Sequence, residues 1–545
     1  MCFLLRLQIM KLASLKNIFP SISNAGLAFL SAVLLILAFP DFEFSILAWF
    51  ALVPLFFAIE CEKEFWRKSF FTGWIFGTVF FFGTCYWLTF APITYAGFPA
   101  PIAYILMFFV ALAVGLFPAI FGAIFSILLK RFGNYAILSA PFLWVFTEFL
   151  RYHLTGNNWN AIGYSQAFLP FWLKMALPID IQLASIGGVY LVGFFTLLIS
   201  TILTFFLIKK RFVGIPVFIL IIFLFGGTSY FYRLMTAKNV LKIEPLVEAN
   251  VVAIQPNVPM NGLTYEKYEE LLTRHVELAE SALKQRTKND GQRTTVVFPE
   301  SPMIFQYGRD RDLQKYLKDF AVRNNVSVLF NSAETAPDGN RPLNSAVMIN
   351  ERGEKTAQYD KIHLLPFGEF IPFPEPIASQ MPAFVGNFEF GNEYDLLEFG
   401  EARGGVMICF ESHFGELSRE YTKRGADVLI EMTNDGYLGN TPVLRQHLAN
   451  SVFRAVETNR PLLRVTNVGI TAYINERGKV SDAAEVYQEA TRVWTISKSD
   501  GNQTIYVKYG DWFAWLCSIV SLALLFLSFR KKKINENANT ENFTA

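Results

Sequence analysis

Residues 406–412 read "VMICFES" and place a cysteine directly after an apolar run and before an acid. The apolar run is typical of a buried β-strand, and "ESHFGEL" (411–417) begins to follow a helical pattern. In α/β proteins, reactive groups lie where strands end and helices start, and a helix N-terminus lowers the pKa of a thiol. Cys409 is therefore a candidate nucleophile, although a packed core cysteine is the commoner use of this residue type.

The segment around this stretch, from residue 246 to residue 505, alternates short β-branched runs with amphipathic, charged stretches. Examples of the runs are "VVAIQ" (251–255) and "TTVVF" (294–298), which are separated by a helical pattern over 265–287. Strands interleaved with helices predict an α/β sheet that is covered on its faces.

The whole chain is far more apolar than this segment. Of its 545 residues, 52% are hydrophobic and 17% are charged, whereas soluble domains are roughly 25% charged. This composition indicates a membrane protein. The formal net charge of +2 gives no electrostatic reason to expect a nucleic-acid partner.

Apolar stretches that approach the roughly 20 residues needed to cross a bilayer recur before and after the polar segment. They predict a helical bundle of about eight spans at residues 24–40, 44–60, 69–90, 101–129, 135–150, 185–208, 213–230 and 512–529. With this count, every basic cluster falls on one side of the membrane, which is the cytoplasmic side by the positive-inside rule. Residues 246–505 are then expected outside the cytoplasm.

The expected domain organisation follows from these boundaries. Residues 1–245 form an N-terminal membrane domain with about seven spans, and residues 246–505 form the catalytic domain. Residues 506–545 hold the last span and a basic cytoplasmic tail. If the catalytic domain faces an oxidising compartment, its unpaired Cys409 is a liability unless the thiol is used.

A thiol nucleophile needs a base and a group that stabilises the oxyanion. Glu300 ends the apolar strand of "VVFPES" (296–301), and a carboxylate at such a position suits a base with a raised pKa. Lys361 is a compact charge that can hold an oxyanion, and Glu369 follows it in a loop. The ordinary alternatives are a capping residue for Glu300 and solvated surface groups for Lys361 and Glu369.

The histidines and cysteines of the chain follow no metal-binding pattern. The five cysteines form no CxxC pair, and the five histidines form no HxH or HExxH motif. The sequence therefore predicts neither a metal site nor a disulfide framework.

Several motifs together resemble known families. "FPE" (298–300), "YDKIHLLPFGE" (359–369) and "ICFES" (408–412) resemble, in this order, the nitrilase or carbon–nitrogen hydrolase superfamily. With seven spans before them and one after, they resemble the apolipoprotein N-acyltransferase family across nearly the whole chain. "GYSQ" (163–166) and the block 434–472, which begins "NDGYLGN", are also similar to that family.

The resemblance implies an αββα sandwich with a Glu–Lys–Cys triad. Cys409 would attack a phospholipid acyl ester and carry the acyl chain as a thioester. Glu300 would act as the general base, and Lys361 would stabilise the tetrahedral intermediates. Glu369 would be a second essential carboxylate.

The resemblance also implies partners and a location. Phe410 and Glu411 would shape the pocket beside the nucleophile. The acceptor would be the N-terminal amine of a diacylglyceryl-cysteine apolipoprotein, and the donor a membrane phospholipid. The expected protein is a monomer without cofactor, multi-pass in the inner membrane, with its catalytic domain facing the periplasm.

Some residues depart from the pattern of the family. Phe298 stands where "WPES" is common, and Tyr437 stands in "NDGYLG" where "NDAWFG" is common. In the arm after the first strand, where the family can carry a tryptophan, Tyr265 is the nearest aromatic residue. These departures bear on acyl-chain or lipoprotein selectivity and leave the triad intact. A Phe- and Pro-rich loop at 364–390 further suggests a lid that dips into the outer leaflet; a loop packed on its own domain is the alternative.

Three other classes of function can be weighed against the sequence. A membrane-anchored hydrolase of small C–N substrates would need the same triad, but one anchor would suffice for a soluble substrate. A non-catalytic scaffold with a decayed nitrilase fold is disfavoured by the complete triad. A transporter is disfavoured because the spans hold few ionisable residues, of which Glu148 is the main candidate.

Overall fold

The computed structural model describes residues 18–169, 181–210, 247–285, 293–337, 339, 341–378 and 386–530. The expected span at 213–230 lies outside these residues.

The described part of the N-terminal region is helical. Its α-helices are Ile22–Ala38 (α1), Val53–Cys61 (α2), Trp66–Cys85 (α3), Phe90–Thr94 (α4), Ala100–Val114 (α5), Leu116–Phe132 (α6), Ala140–Thr155 (α7) and Ala184–Ile208 (α8). Shorter 3₁₀ turns connect several of them.

Four helical runs in the described residues are long and apolar enough to cross a membrane. They are Trp66–Thr94, Ala100–Thr155, Ile181–Ile208 and Trp512–Phe529, whereas the apolar runs Ile22–Ala38 and Ser45–Cys61 are shorter. The structure therefore supports a membrane-spanning helical region, while a total of about eight spans stays a prediction.

One of these runs contains two of the expected spans. The run of 56 residues would be about 84 Å long if it were straight, which is much more than a bilayer needs. It is divided by the 3₁₀ turn Gly133–Ser139, which begins with Gly133 at φ 67°. Because α7 then packs against α6, the chain folds back on itself at this turn.

Glycines allow α3 and α6 to approach closely. A Cβ atom on Gly73 would lie 2.2 Å from the carbonyl oxygen of Pro118, and one on Gly122 would lie 2.3 Å from that of Ser69. Gly73 and Gly77 form a GxxxG motif, which is a common interface of membrane helices. Larger residues at these positions would force the two helices apart.

Basic residues from distant segments meet at one end of the helical region. Lys130, in the last turn of α6, pairs with Glu64 at 3.0 Å in the loop before α3. The neighbouring Arg131 donates a hydrogen bond of 2.8 Å to the carbonyl oxygen of Arg530. The loop before α3, the end of α6 and the end of the last helix therefore lie together.

The second region contains two six-stranded sheets. Its strands are Val247–Gln255 (β1), Arg293–Val297 (β2), Ser327–Thr335 (β3), Pro342–Ile349 (β4), Lys355–Asp360 (β5), Leu396–Phe399 (β6), Ala402–Ile408 (β7), Val428–Thr433 (β8), Leu462–Thr466 (β9), Ala472–Ile474 (β10), Val480–Ser481 (β11) and Ala490–Ser497 (β12). The first sheet has the order β12-β1-β2-β3-β4-β5, and the second has the order β6-β7-β8-β9-β10-β11.

The remaining helices cover these sheets or follow them. They are Tyr265–Gln285 (α9), Arg311–Asn324 (α10), Glu375–Ala378 (α11), Gly415–Lys423 (α12), Val443–Thr458 (α13), Ile505–Tyr509 (α14) and Trp512–Phe529 (α15). Alternation along the strands sets the layers: Val252 and Ile254 pack beneath α9 and α10, whereas Val251 and Ala253 belong to the other core, which includes the second sheet. The result is an αββα sandwich, as the resemblance implies.

Helix α13 joins the sandwich to the membrane helices. All of its residues are buried except Arg445, which is half-buried. It contacts β9 on one side and α8 on the other. The side-chain oxygen of Gln446 accepts hydrogen bonds from the indole nitrogens of Trp87 at 3.2 Å and Trp159 at 2.8 Å. The two regions thus share one continuous core.

Candidate active site

Cys409 begins a tight turn at the end of a central strand. Strand β7 ends at Ile408, and the 3₁₀ turn Cys409–His413 follows it. Cys409 has φ 53°, in the left-handed region that non-glycine residues seldom occupy. The backbone therefore turns sharply at the cysteine, and the residue is half-buried at the edge of the core.

Two carboxylates and a lysine are close to one another beside this turn. Glu300 follows β2 and Lys361 follows β5, so both come from the first sheet. The Nζ atom of Lys361 lies 2.8 Å from Oε2 of Glu369 and 3.8 Å from Oε1 of Glu300. Lys361 is 1% exposed, and a lysine can be buried so completely because these two carboxylates pair with it.

Two asparagines fix the carboxylates. Nδ2 of Asn344 donates to Oε1 of Glu369 at 2.6 Å and to Oε1 of Glu300 at 3.2 Å. The backbone N–H of Asn434 donates to the other oxygen of Glu300 at 3.1 Å. Each carboxylate oxygen of Glu300 therefore accepts a hydrogen bond. Asn344 of the first sheet donates one, and Asn434, which follows a strand of the second sheet, donates the other.

The pKa values of these groups depend on each other. Burial raises the pKa of Glu300, Lys361 partly offsets this rise, and Glu369 adds to it. Burial alone would lower the pKa of Lys361, but Glu369 and Glu300 raise it above its ordinary value. Burial and the charge of Glu300 raise the pKa of Cys409 well above that of a free thiol. A neutral thiol thus lies beside a carboxylate of raised basicity and a permanent cation.

Glu411 ties the turn that begins at Cys409 to the loop that carries Lys361. Its Oε1 atom accepts from the hydroxyl of Tyr359 at 2.7 Å and from the backbone N–H groups of Ile362 at 2.7 Å and His363 at 3.0 Å. Its Oε2 atom accepts from the N–H of Ile408 at 2.8 Å. Burial raises its pKa to about 7, against the lowering effect of Lys361 and these donors.

Phe410 faces the membrane helices. Its ring stacks on His413 at 5.3 Å and lies 6.4 Å from Trp159, which belongs to the loop after α7. Trp159 in turn packs against Trp87 at 5.7 Å. The side of the turn that carries Phe410 is therefore an aromatic wall built jointly by the two regions.

A second group of charged residues lies beneath the turn. We call it the Arg464 cluster, and its four members are Glu431, Asp435, His447 and Arg464. All four are at most 5% exposed. Arg464 pairs with Glu431, and its Nη2 lies 2.7 Å from Oδ2 of Asp435. Within the described ranges, no group of three or more His, Cys, Asp and Glu side chains is arranged to hold a metal ion.

The structure brings the predicted residues together and adds others. Glu300, Lys361, Cys409 and Glu369 meet at one site, with Phe410 and Glu411 on the turn beside it. The sequence analysis missed two asparagines, Asn344 and Asn434, and the Arg464 cluster. Asn434 follows the apolar run "ADVLIEM" (426–432), so the same strand-end argument that found Glu300 could have found it.

Two matches to family models cover most of the chain. Residues 31–202 match the apolipoprotein N-acyltransferase N-terminal domain, and residues 251–506 match the carbon–nitrogen hydrolase domain. Solved structures with some likeness include Nit3 of Saccharomyces cerevisiae, a member of branch 10 of the nitrilase superfamily, at 16% identity and a TM-score of 0.36 over 46% of this chain and 91% of that chain. Another is a mutant amidase from Nesterenkonia sp. AN1 that carries a covalent acetamide adduct on its active-site cysteine, at 18% identity and a TM-score of 0.36 over 48% of this chain and 94% of that one.

Full-length relatives agree with both family models. The apolipoprotein N-acyltransferase of Geobacter metallireducens is 31% identical over 522 residues, which are 93% of this chain and 96% of the relative. That of Thermotoga maritima is 29% identical over 523 residues, which are 94% of this chain and 95% of the relative. The resemblance inferred from the motifs is thereby confirmed, and the chain belongs to the apolipoprotein N-acyltransferase family.

Proposed function

We propose that this protein transfers a fatty acyl chain from a membrane phospholipid, through a thioester on Cys409, to the N-terminal amine of a diacylglyceryl-cysteine apolipoprotein. The observation that carries this proposal is the convergence of Cys409, Glu300 and Lys361 at the junction of the sandwich and the membrane helices. Membership in the family supports the N-acylation of lipoproteins, and the site supplies the chemistry for it.

In the first step, Glu300 takes the thiol proton while sulfur attacks the acyl ester carbon of the phospholipid. The S–C bond forms, and the ester C–O bond breaks after a tetrahedral intermediate. Lys361 stabilises the oxyanion of this intermediate, since Glu369 and Glu300 keep it protonated despite its burial. The proton on Glu300 passes to the oxygen of the departing lysophospholipid.

In the second step, the amine of the apolipoprotein attacks the thioester. Glu300 takes a proton from the attacking nitrogen, the N–C bond forms, and the C–S bond breaks. The proton returns to the sulfur, so the thiol is restored for another cycle. Because the apolar wall of Phe410 and Trp159 keeps this side of the site poor in water, aminolysis is favoured over hydrolysis of the thioester.

The membrane arrangement is part of the proposal. The expected boundaries at 245/246 and 505/506 separate an inner-membrane helical domain of about seven spans, a periplasmic catalytic domain and a final span with a cytoplasmic tail. The association of Lys130, Arg131 and Arg530 at one end of the helices supports this orientation, since basic residues accumulate on the cytoplasmic side. The protein is proposed to act as a monomer.

The loop 364–390 fits the proposed lid. Its described part exposes Phe367, Phe373 and Phe390 at 41%, 45% and 47%. The ring of Phe370 packs on Phe390 at 5.1 Å, so this part of the loop carries an apolar surface of its own. Such a surface can enter the outer leaflet and admit a phospholipid to Cys409.

Mass spectrometry of the purified full-length protein tests the thioester. After incubation with phospholipid vesicles, we expect a fatty acyl mass on the peptide that contains Cys409, and we expect its loss on addition of a diacylglyceryl-cysteine peptide. The variant Cys409→Ala should carry no adduct, whereas Cys61→Ala, which changes a cysteine at the end of α2, should be acylated normally. A wild-type protein that releases free fatty acid without an adduct would contradict the proposal and favour the hydrolase alternative.

A further inference from the structure

The underside of the nucleophile turn is held by one histidine of α13. The Nε2 atom of His447 lies 3.1 Å from the carbonyl oxygen of Cys409 and 3.0 Å from the hydroxyl oxygen of Ser412. Its Nδ1 atom lies 2.8 Å from Oδ1 of Asp435. His447 is 5% exposed, so it contacts the turn from inside the protein and is not placed to touch a substrate.

The Arg464 cluster fixes the position and the charge of this imidazole. Oε1 of Glu431 lies 3.1 Å from Nε2 of His447, the same distance as the carbonyl oxygen of Cys409. Burial and Arg464 lower the pKa of His447, but Asp435 and Glu431 more than offset them and raise it to about 9. Both ring nitrogens therefore carry a proton at neutral pH, and the Nε2–H is shared between the cluster and the turn.

The turn requires such support because its first residue is in an uncommon conformation. A non-glycine residue at positive φ is strained and persists only where surrounding contacts hold it. Helix α13 provides two such contacts from one face, seven residues apart. His447 contacts the carbonyl oxygen of Cys409, and Nη1 of Arg454 donates to the carbonyl oxygen of His413 at 2.9 Å.

We propose that His447 is a positioning residue for acyl transfer, which holds the Cys409 carbonyl and thereby the left-handed turn that directs the thiol at the acyl carbon. This inference rests on the proposed role of Cys409. The contacts of His447 with Ser412 on one side and Asp435 on the other also resemble those of a Ser–His–Asp triad. Because Ser412 is fully buried, an acyl ester cannot reach its hydroxyl, and the three residues support the turn rather than form a second nucleophilic site.

Two substitutions of similar size separate positioning from a general structural role. The amide of glutamine reaches the place of the imidazole Nε2, where its two hydrogens can serve both Cys409 and Glu431, whereas the shorter amide of asparagine reaches only the place of Nδ1. We expect His447→Gln to form the thioester within about tenfold of the wild-type rate. His447→Asn should be slower by about 100-fold, which is the loss expected from misplacing a reacting group by about 1 Å.

The measurement is the single-turnover rate of acyl-enzyme formation by the detergent-purified full-length protein, together with the KM for phospholipid and the melting temperature of each variant. We expect similar melting temperatures for the two variants and an unchanged KM. Thr422→Val is the control, since it removes a buried hydrogen bond within α12, from the Thr422 hydroxyl to the Ser418 carbonyl oxygen, that involves neither the turn nor the Arg464 cluster.

Equal rates for His447→Gln and His447→Asn would overturn the inference, and so would a loss of rate that follows the melting temperature alone. If neither variant folds, the histidine is structural and the inference fails. The wild-type adduct is measured in the same experiment. Its absence would reject the role of Cys409 itself, whereas a normal adduct with equal variant rates would reject only the positioning role of His447.

Discussion

The two sheets of the sandwich repeat one pattern of strand pairing but differ in the carboxylates at their strand ends. From β12 to β5 in the first sheet and from β6 to β11 in the second, the successive pairs are antiparallel, parallel, parallel, antiparallel and antiparallel. Strands β2 and β8 therefore occupy the same place. Glu300 follows β2, and Asp435 follows β8.

The surroundings of these two carboxylates have opposite effects. Burial raises the pKa of Glu300, whose nearest cation, Lys361, is 3.8 Å away and lies closer to Glu369. Burial would likewise raise the pKa of Asp435, but the contact with Arg464 lowers it below the ordinary value. The comparison teaches that a carboxylate at the same strand end can serve as a base or as a structural anion. The outcome depends on whether a guanidinium pairs with it and lowers its pKa.

The largest expected effect follows from removing the basic carboxylate. Glu300→Gln keeps the shape of the side chain and its place between Asn344 and Asn434, but it cannot take the thiol proton. We expect the rate of thioester formation to fall by about 1,000-fold, within the range typical of general bases, while the melting temperature changes little. Assays of acyl-enzyme formation in which the reaction is quenched at set times measure this rate. The exposed Glu398→Gln is the control, and a comparable loss in that variant would show that the effect is not specific to Glu300.

The second-largest expected effect tests whether the Arg464 cluster stabilises the fold. Arg464→Met removes one of the two cations that face Glu431 and Asp435, so that His447 alone must compensate two buried carboxylates. We expect the free energy of unfolding to fall by about 3–5 kcal/mol, which thermal unfolding in detergent would register as a lower melting temperature. Arg492→Met, at a pair with Asp482 that is at least one-quarter exposed, should change stability by no more than about 1 kcal/mol. Equal shifts in the two variants would contradict the assignment of the Arg464 cluster as scaffold.

The smallest expected effect is a pH dependence of stability in the same cluster. Asp435 and Glu431 raise the pKa of His447 to about 9 against burial and the charge of Arg464, whereas the pKa of an unfolded histidine is about 6.5. The stabilisation is therefore fully present below pH 6.5 and is lost as the pH rises through about 9, with an upper limit of about 3 kcal/mol. Melting temperatures of the wild type and of His447→Gln over this range measure it. Parallel curves would exclude His447 as the cause.

Local sequence patterns were sufficient to find the strand-end residues that the structure brings together in the candidate site. Cys409 and Glu300 each end an apolar run, and Lys361 lies in a distinctive loop, so each could be assigned from a few neighbouring residues. The Arg464 cluster could not be predicted in this way, because Glu431, Arg464 and His447 look like ordinary polar residues of two strands and a helix. Only the packing of α13 on the second sheet brings them together.

The membrane helices likewise include one element whose bounds the sequence predicts well and one whose structure it does not. The last expected span, 512–529, has the same bounds as α15, since a continuous apolar run of that length leaves few alternatives. The expected span at 44–60 is instead a 3₁₀ turn, Ser45–Trp49, followed by the short helix Val53–Cys61. Hydropathy averages over such breaks, because both conformations bury the same apolar side chains.

Helix α8 contains a break whose completion depends on a distant part of the chain. Gly187 and Gly188 have non-helical backbone angles, so a new helical segment begins at Val189, and its free N–H is satisfied by Oε1 of Glu457 at 3.1 Å. Glu457 is synthesised 268 residues later, which at ordinary rates of translation means a delay on the order of 10 s or more. A nascent chain would therefore hold α8 in an unfinished state until the end of α13 leaves the ribosome and, in the proposed orientation, crosses the membrane. Final docking of the bundle would then be a late event in biogenesis.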